Sequence, residues 1–138
     1  MNKAPNPWTN QTAPSLDDFA AIAQEVFRAL PQRFHDMVGT VIFAIADFAD
    51  ESDLDELGIE SAYDLLGLFN GVGLAEASAM PVTGGFPNRV VLYRRPILDY
   101  WAEHEETLGA VVGHVLIHEI GHHFGLSDDD METIEAAC

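Results

Sequence analysis

Apolar residues recur at helical spacing in the segment that begins at Ser15. They lie three or four positions apart, the period of an α-helix with one buried face, and they are Phe19, Ile22, Ala23, Val26, Phe27 and Leu30. Ser15 and Asp18 have the spacing of a capping box, and Pro31 predicts the end of the helix. Residues 1–14 are polar, rich in proline and asparagine, and without periodicity. We therefore predict a disordered segment over 1–14 and a single domain over 15–138.

Two segments have the composition of β-strands. The stretch from Val38 to Phe48 (VGTVIFAIADF) is rich in β-branched and aromatic residues and predicts a strand that is buried on both faces. Arg89 to Arg94 (RVVLYR) predicts a second, short strand that is ended by Pro96. Between them we expect an acidic loop or short helix over 47–64, a packed loop or short strand over 65–74, and a turn over 81–88.

The C-terminal part of the chain has a helical pattern. Residues 97–124 predict a long helix, and residues 127–137 predict a short acidic helix. Helices combined with short strands in this order favour an α+β fold.

The composition is that of a globular protein with a strong negative charge. The chain has 138 residues, of which 48% are apolar, enough for one domain with its own core. With 23 acidic and 6 basic side chains the net charge is −17, which argues against nucleic acid and anionic membrane surfaces as partners. The sequence has no signal-peptide pattern, no apolar run of transmembrane length and a single cysteine, Cys138. We therefore expect a cytoplasmic protein.

The segment HEIGH at residues 118–122 carries the candidate chemistry. His118 and His122 are four residues apart, so on a helix they lie about 40° apart on one face and can both reach one metal ion. Glu119 lies about 100° round from His118, where it can accept a proton from a water on that metal without binding the metal itself. This spacing predicts one zinc ion per chain.

The third metal ligand is expected just after this helix. Gly125 can take the left-handed conformation that ends a helix, and Asp128 follows three positions later on the returning chain. Two imidazoles and one carboxylate leave a fourth position open for water, as in catalytic zinc sites. Glu132 is the alternative ligand, because Ser127 predicts a helix N-terminus there and an acidic residue at position 128 also suits that terminus.

Other polar residues near this segment have structural interpretations. A row of His114, His118 and His122 would span about 11 Å along the helix axis, too far for one metal, so we interpret His114 as a core residue or one lying behind the ligands. His123 points away from the metal face and is expected to pack or to lie at the surface. Arg94 and Arg95 either receive a carboxylate of a substrate or pair with the acidic residues of the protein.

The sequence resembles the zincin metallopeptidases, and more closely the short bacterial zincin-like proteins, a minimal version of that fold. The resemblance rests on HEIGHHFGLSD (118–128), YDLLGLFNGV (63–72) and RVVLYRRPI (89–97). It implies a minimal zincin-like α+β fold, in which a small mixed sheet has an edge strand packed on a long active-site helix. It also implies metal ligands at His118, His122 and Asp128, with Glu119 as general base. A peptide substrate would pair with the edge strand, for which Val90–Tyr93 is the candidate.

These observations predict a zinc-dependent metallopeptidase that acts on a peptide or protein substrate, and they assign no oligomeric state. Glu119 takes a proton from the water that zinc activates and later gives it to the leaving amine. The alternative hypothesis is a zinc-binding domain of the same fold that lacks significant catalysis and acts as an interaction module. In a third hypothesis, zinc holds the fold together through four protein ligands with no open position.

Overall fold

The computed structural model of the chain describes residues 4–70 and 88–137. Its helices are α1 (Leu16–Ala29), α2 (Gln32–Val38), α3 (Glu51–Leu57), α4 (Arg94–Glu103), α5 (Leu108–His123) and α6 (Asp128–Ala136), with a 3-10 turn at Ala62–Asp64. Its strands are β1 (Val41–Ala46), β2 (Gly67–Asn70) and β3 (Asn88–Tyr93). The predicted α+β class is confirmed. The expectations for residues 71–74 and 81–87, and for Cys138, lie outside the described residues.

Helix α1 begins as its sequence predicts. The backbone N–H of Asp18 donates to Oγ of Ser15 at 3.1 Å, and the backbone N–H of Ser15 donates to Oδ2 of Asp18 at 2.8 Å. This capping box satisfies N–H groups that have no partner within the helix, and it holds the pKa of Asp18 below its usual value. Phe19 and Ala23 are fully buried on the face that the apolar spacing predicts.

Strand β3 lies in the centre of the described sheet. The strand order is β1-β3-β2, with β3 parallel to β1 and antiparallel to β2. Val90 and Leu92 of β3 are fully buried. The prediction of an edge strand at residues 89–97 is therefore wrong, because β3 is paired on both sides and Arg94–Ile97 belong to helix α4.

Strand β1 was expected to be buried on both faces, and this prediction is wrong. Five of its six residues are half-buried, and Ile42 is 47% exposed. Within the described sheet β1 pairs only with β3, so one of its edges has no strand beside it. Helix α1 covers one face of it, where the rings of Phe27 and Phe43 lie 5.4 Å apart between centroids.

The predicted helix over 97–124 is two helices. Helix α4 ends at Glu103, and α5 begins after Thr107, whose Oγ1 accepts a hydrogen bond from the backbone N–H of Ala110 at 3.1 Å. Pro96 lies in the first turn of α4, where a missing N–H costs no helical hydrogen bond. Residues 104–107 separate the two helices.

Helix α5 contributes more buried residues to the apolar core than any other described element. It packs against α1, α4, α6, β2 and β3. Its fully or almost fully buried side chains are Val111, Val112, Leu116, Ile117 and Ile120. Within residues 4–70 and 88–137, none of the helices combines the length and the apolar character needed to cross a membrane.

Candidate metal centre

The HEIGH segment occupies the last turns of α5. Ile117 and Ile120 are buried to 1% and 0% exposure, and they fix the rotation of the helix about its axis. His118 and Glu119 are consequently half-buried at the surface of the core, and His122 is exposed. The imidazole centroids of His118 and His122 lie 5.9 Å apart, which agrees with the predicted arrangement on one helix face.

The helix ends where Gly125 predicts. Gly125 has a φ of 75°, and the backbone N–H of Leu126 donates to the carbonyl of Gly121 at 2.9 Å. These features satisfy a terminal carbonyl and reverse the chain. Ser127 then caps α6 by accepting a hydrogen bond from the backbone N–H of Asp130 at 3.1 Å. The predicted short acidic helix after Ser127 is confirmed as α6.

Glu135 is the carboxylate that the structure brings to the histidines of α5. Its Oε1 lies 3.2 Å from Nε2 of His118 and 2.6 Å from Nδ1 of His114. Among the described residues, the ligand atoms of these three side chains form a group within 4.8 Å of one another. Imidazole nitrogens and a carboxylate oxygen are the donors that zinc binds in proteins, so the chemistry of this region fits zinc.

Asp128 and Glu132 lie outside that group. Asp128 is the first residue of α6 and is exposed, and Glu132 is exposed one turn further on. The assignment of His118, His122 and Asp128 as a ligand set therefore stays a prediction.

Sequence reasoning missed Glu135 and set His114 aside. The row of three histidines is too long for one metal, but His114 and His118 are only one turn apart, and their ring centroids lie 4.1 Å apart. Glu135 reaches this pair because Met131 and Ile134 are buried and fix α6 against the core. The sequence does contain a signal for Glu135, because this residue directly follows Ile134, a buried apolar position of α6.

Glu119 lines a cleft together with His118. The cleft has a volume of about 290 Å³, and Leu65, Leu66 and Tyr100 form part of its wall. Burial raises the pKa of Glu119, and the nearby His122 opposes that rise. A carboxylate with a raised pKa is a stronger base, which suits a group that accepts a proton.

Strand β2 lies beside the cleft, at an edge of the described sheet. A β-carbon on Gly67 would lie 2.8 Å from Cγ1 of Val115, so β2 approaches α5 closely at this glycine. Tyr93 of β3 is 3% exposed and belongs to a separate apolar cluster with Leu54 and Leu65. Of the described strands, β2 is the one that combines an edge position with a place next to the HEIGH helix.

Arg94 and His123 make contacts within the protein. Arg94 donates from Nη1 to Oδ1 of Asp47 at 3.1 Å and from Nε to the carbonyl of Pro14 at 2.6 Å. The ring of His123 lies against that of Phe69, with 4.3 Å between centroids. His123 lies at the surface with its ring against Phe69, as predicted. Pairing with an acidic residue of the protein is confirmed for Arg94.

Comparisons with known proteins concern the family and the fold of the chain. A family model described as "zincin-like metallopeptidase" matches residues 38–137, which include α5, α6 and the described strands β1, β2 and β3. Among solved structures, a conserved hypothetical protein from Thermo thermophilus is similar over 79% of this chain and 92% of its own, with a TM-score of 0.51 and 18% identity. That likeness concerns the fold alone. No curated protein matches the chain.

Proposed function

The chain belongs to the zincin-like metallopeptidase family, and from that premise we propose that it hydrolyses peptide bonds in the cleft beside α5. The observation that carries the proposal is the position of Glu119. This carboxylate is half-buried, has a raised pKa, and lines the cleft next to His118. A half-buried base beside a candidate metal ligand is what metal-assisted hydrolysis needs and what a merely structural zinc site does not.

We propose His118, His122 and Asp128 as the residues that hold one zinc ion. When bound, zinc supplies Lewis acidity, which lowers the pKa of a water and stabilises negative charge on the carbonyl oxygen. The helix fixes the two histidines one turn apart, with 5.9 Å between ring centroids. Asp128 follows the turn at Gly125, which directs the chain back along the protein.

Glu119 then acts as the proton carrier of the reaction. Its carboxylate accepts a proton from the attacking water and delivers it to the amine that leaves. Because burial disfavours its charged form, the neutral acid that forms midway costs less than it would in bulk water.

We propose that the peptide binds in an extended conformation along β2. This replaces the expectation for Val90–Tyr93, because β3 is already paired on both sides and has no free edge for a peptide. Residues 67–70 run beside α5, and Leu65 and Leu66 just before them line the cleft with Glu119. Backbone groups of an edge strand can pair with a substrate of any sequence, whereas side-chain pockets select among substrates.

The proposal is tested by digesting a peptide library with the wild-type protein, with and without a chelator. Cleavage that disappears with chelator and returns with added zinc supports a metallopeptidase. If the protein holds zinc and cleaves no peptide, the non-catalytic zinc-binding domain becomes the better account.

A further inference from the structure

A single carboxylate oxygen, Oε1 of Glu135, joins two histidines of α5. It lies 2.6 Å from Nδ1 of His114 and 3.2 Å from Nε2 of His118. His114 and Glu135 are 49% and 34% exposed in their side chains, so both are accessible to ions from solution.

The spacing of these three atoms suits a small cation. Zinc binds nitrogen and oxygen ligands at about 2.0–2.1 Å in a tetrahedron, which puts two ligand atoms roughly 3.3 Å apart. The group in α5 and α6 spans contacts of 2.6 Å and 3.2 Å, with all three atoms within 4.8 Å. His114 is exposed and His118 and Glu135 are half-buried, and an entering ion would have to widen the 2.6 Å contact.

We propose that His114, His118 and Glu135 form a second position for a divalent cation of the zinc type, one that competes with the HEIGH ligand set for His118. The competition follows from the atom involved. Nε2 of His118 is the nitrogen that faces Glu135. The proposal takes the HEIGH set to use the same nitrogen, and a ring nitrogen binds one metal at a time. Cation binding here does not depend on the proposed peptidase activity, although its effect on that activity does.

The surroundings of His114 and Glu135 favour a cation. Both side chains line a cavity of about 360 Å³ between α1, α5 and α6, and Glu106 lines the same cavity. The protein as a whole carries a net charge of −17, which raises the concentration of cations near its surface. An entering cation would replace the contacts that Glu135 makes with His114 and His118.

Two positions that share Nε2 of His118 and bind the same ion are occupied in a ratio that the zinc concentration does not change. An ion at Glu135 would remove one of the two imidazoles from the proposed catalytic position. Removing the Glu135 carboxylate should therefore shift zinc toward the HEIGH set and raise any peptidase activity measured at saturating zinc.

The decisive experiment measures zinc affinity in a background that lacks the HEIGH set. The His122→Ala variant is titrated with zinc by calorimetry, alone and combined with either Glu135→Gln or Glu103→Gln. Glu103 is the matched control because it is an exposed glutamate that lies outside the group and is no candidate ligand. Circular dichroism of each variant verifies folding.

We expect His122→Ala to keep one weaker zinc-binding event. Adding Glu135→Gln should weaken it at least about tenfold, the lower end of what losing even an indirect metal partner costs, and adding Glu103→Gln should leave it unchanged. The ring nitrogens of His114 and His118 should shift in ¹⁵N spectra when zinc is added to the His122→Ala variant.

Either of two results would overturn the proposal. One is the absence of zinc binding by folded His122→Ala protein, and the other is equal weakening by the Glu135 and Glu103 substitutions. Since the readout is zinc affinity, a protein that cleaves no peptide would contradict the proposed function and leave this test intact.

Discussion

Gly121 of α5 lies in direct contact with Met131 of α6. A β-carbon at position 121 would lie 2.6 Å from Sδ and 3.0 Å from Cγ of Met131, closer than side chains approach one another. Met131 is fully buried. The glycine inside the HEIGH segment therefore lets α6 pack against the helix turn that carries His122, and this packing brings Glu135 to His118.

Substituting this glycine should loosen the contact between the two helices. We expect overpacking in Gly121→Ala to lower the free energy of unfolding by about 1–3 kcal/mol. The better helix propensity of alanine offsets up to about 1 kcal/mol of this loss. Gly109→Ala on the same helix is the control, because nothing lies within 4 Å of a β-carbon there. Urea denaturation of both variants measures the difference. A Gly121→Ala protein as stable as the Gly109→Ala protein would contradict the packing argument.

The metal content of the purified protein tests the histidine pair. We expect wild-type protein purified without added metal to contain one zinc per chain, and His122→Ala to contain much less, because it loses one of the two imidazoles on the helix face. Elemental analysis measures both. Equal zinc in the wild type and in His122→Ala combined with Glu135→Gln, which also removes the second position, would show that His122 is not a ligand.

The third ligand is tested on α6. Asp128→Ala should weaken zinc binding far more than Glu132→Ala, since loss of a ligand leaves two imidazoles to hold a divalent ion. Competition with a chromogenic chelator gives the two affinities. If Glu132→Ala weakens zinc binding more than Asp128→Ala does, Glu132 and not Asp128 is the carboxylate ligand.

The features that the sequence predicted well are encoded locally. The capping boxes at Ser15 and Ser127 each involve residues three positions apart, and the structure contains both. The turn at Gly125 likewise depends on one residue that tolerates a φ of 75°. Such features follow from the sequence because every group that forms them lies within one turn of chain.

The features that the sequence did not predict depend on distant segments. The central position of β3 requires residues 41–46 and 67–70 to pair with its two edges, and nothing in RVVLYR specifies how many partners it has. The contact between His118 and Glu135 requires α6 to dock on α5 through Gly121 and Met131. Apolar periodicity identifies the buried face of a helix, but not which turn of a neighbouring helix that face meets.

Glu119 offers the test that separates chemistry from metal binding. Glu119→Gln keeps the size of the side chain and removes its basicity, and the residue is not one of the proposed zinc ligands. We therefore expect the variant to retain zinc and a melting temperature near that of the wild type. Any peptidase activity should fall roughly a hundredfold or more, the usual contribution of a general base.

The matched control for this substitution is Glu103→Gln. Glu103 is exposed at the end of α4 and lies outside the cleft, so the same change from carboxylate to amide should leave activity unchanged. The assay uses a peptide library at neutral pH with a chelator as blank. If Glu119→Gln cleaves as fast as the wild type, another group takes the proton of the water. If the wild type and Glu119→Gln both hold zinc and neither cleaves peptide, the cleft beside α5 binds metal without hydrolysing peptides.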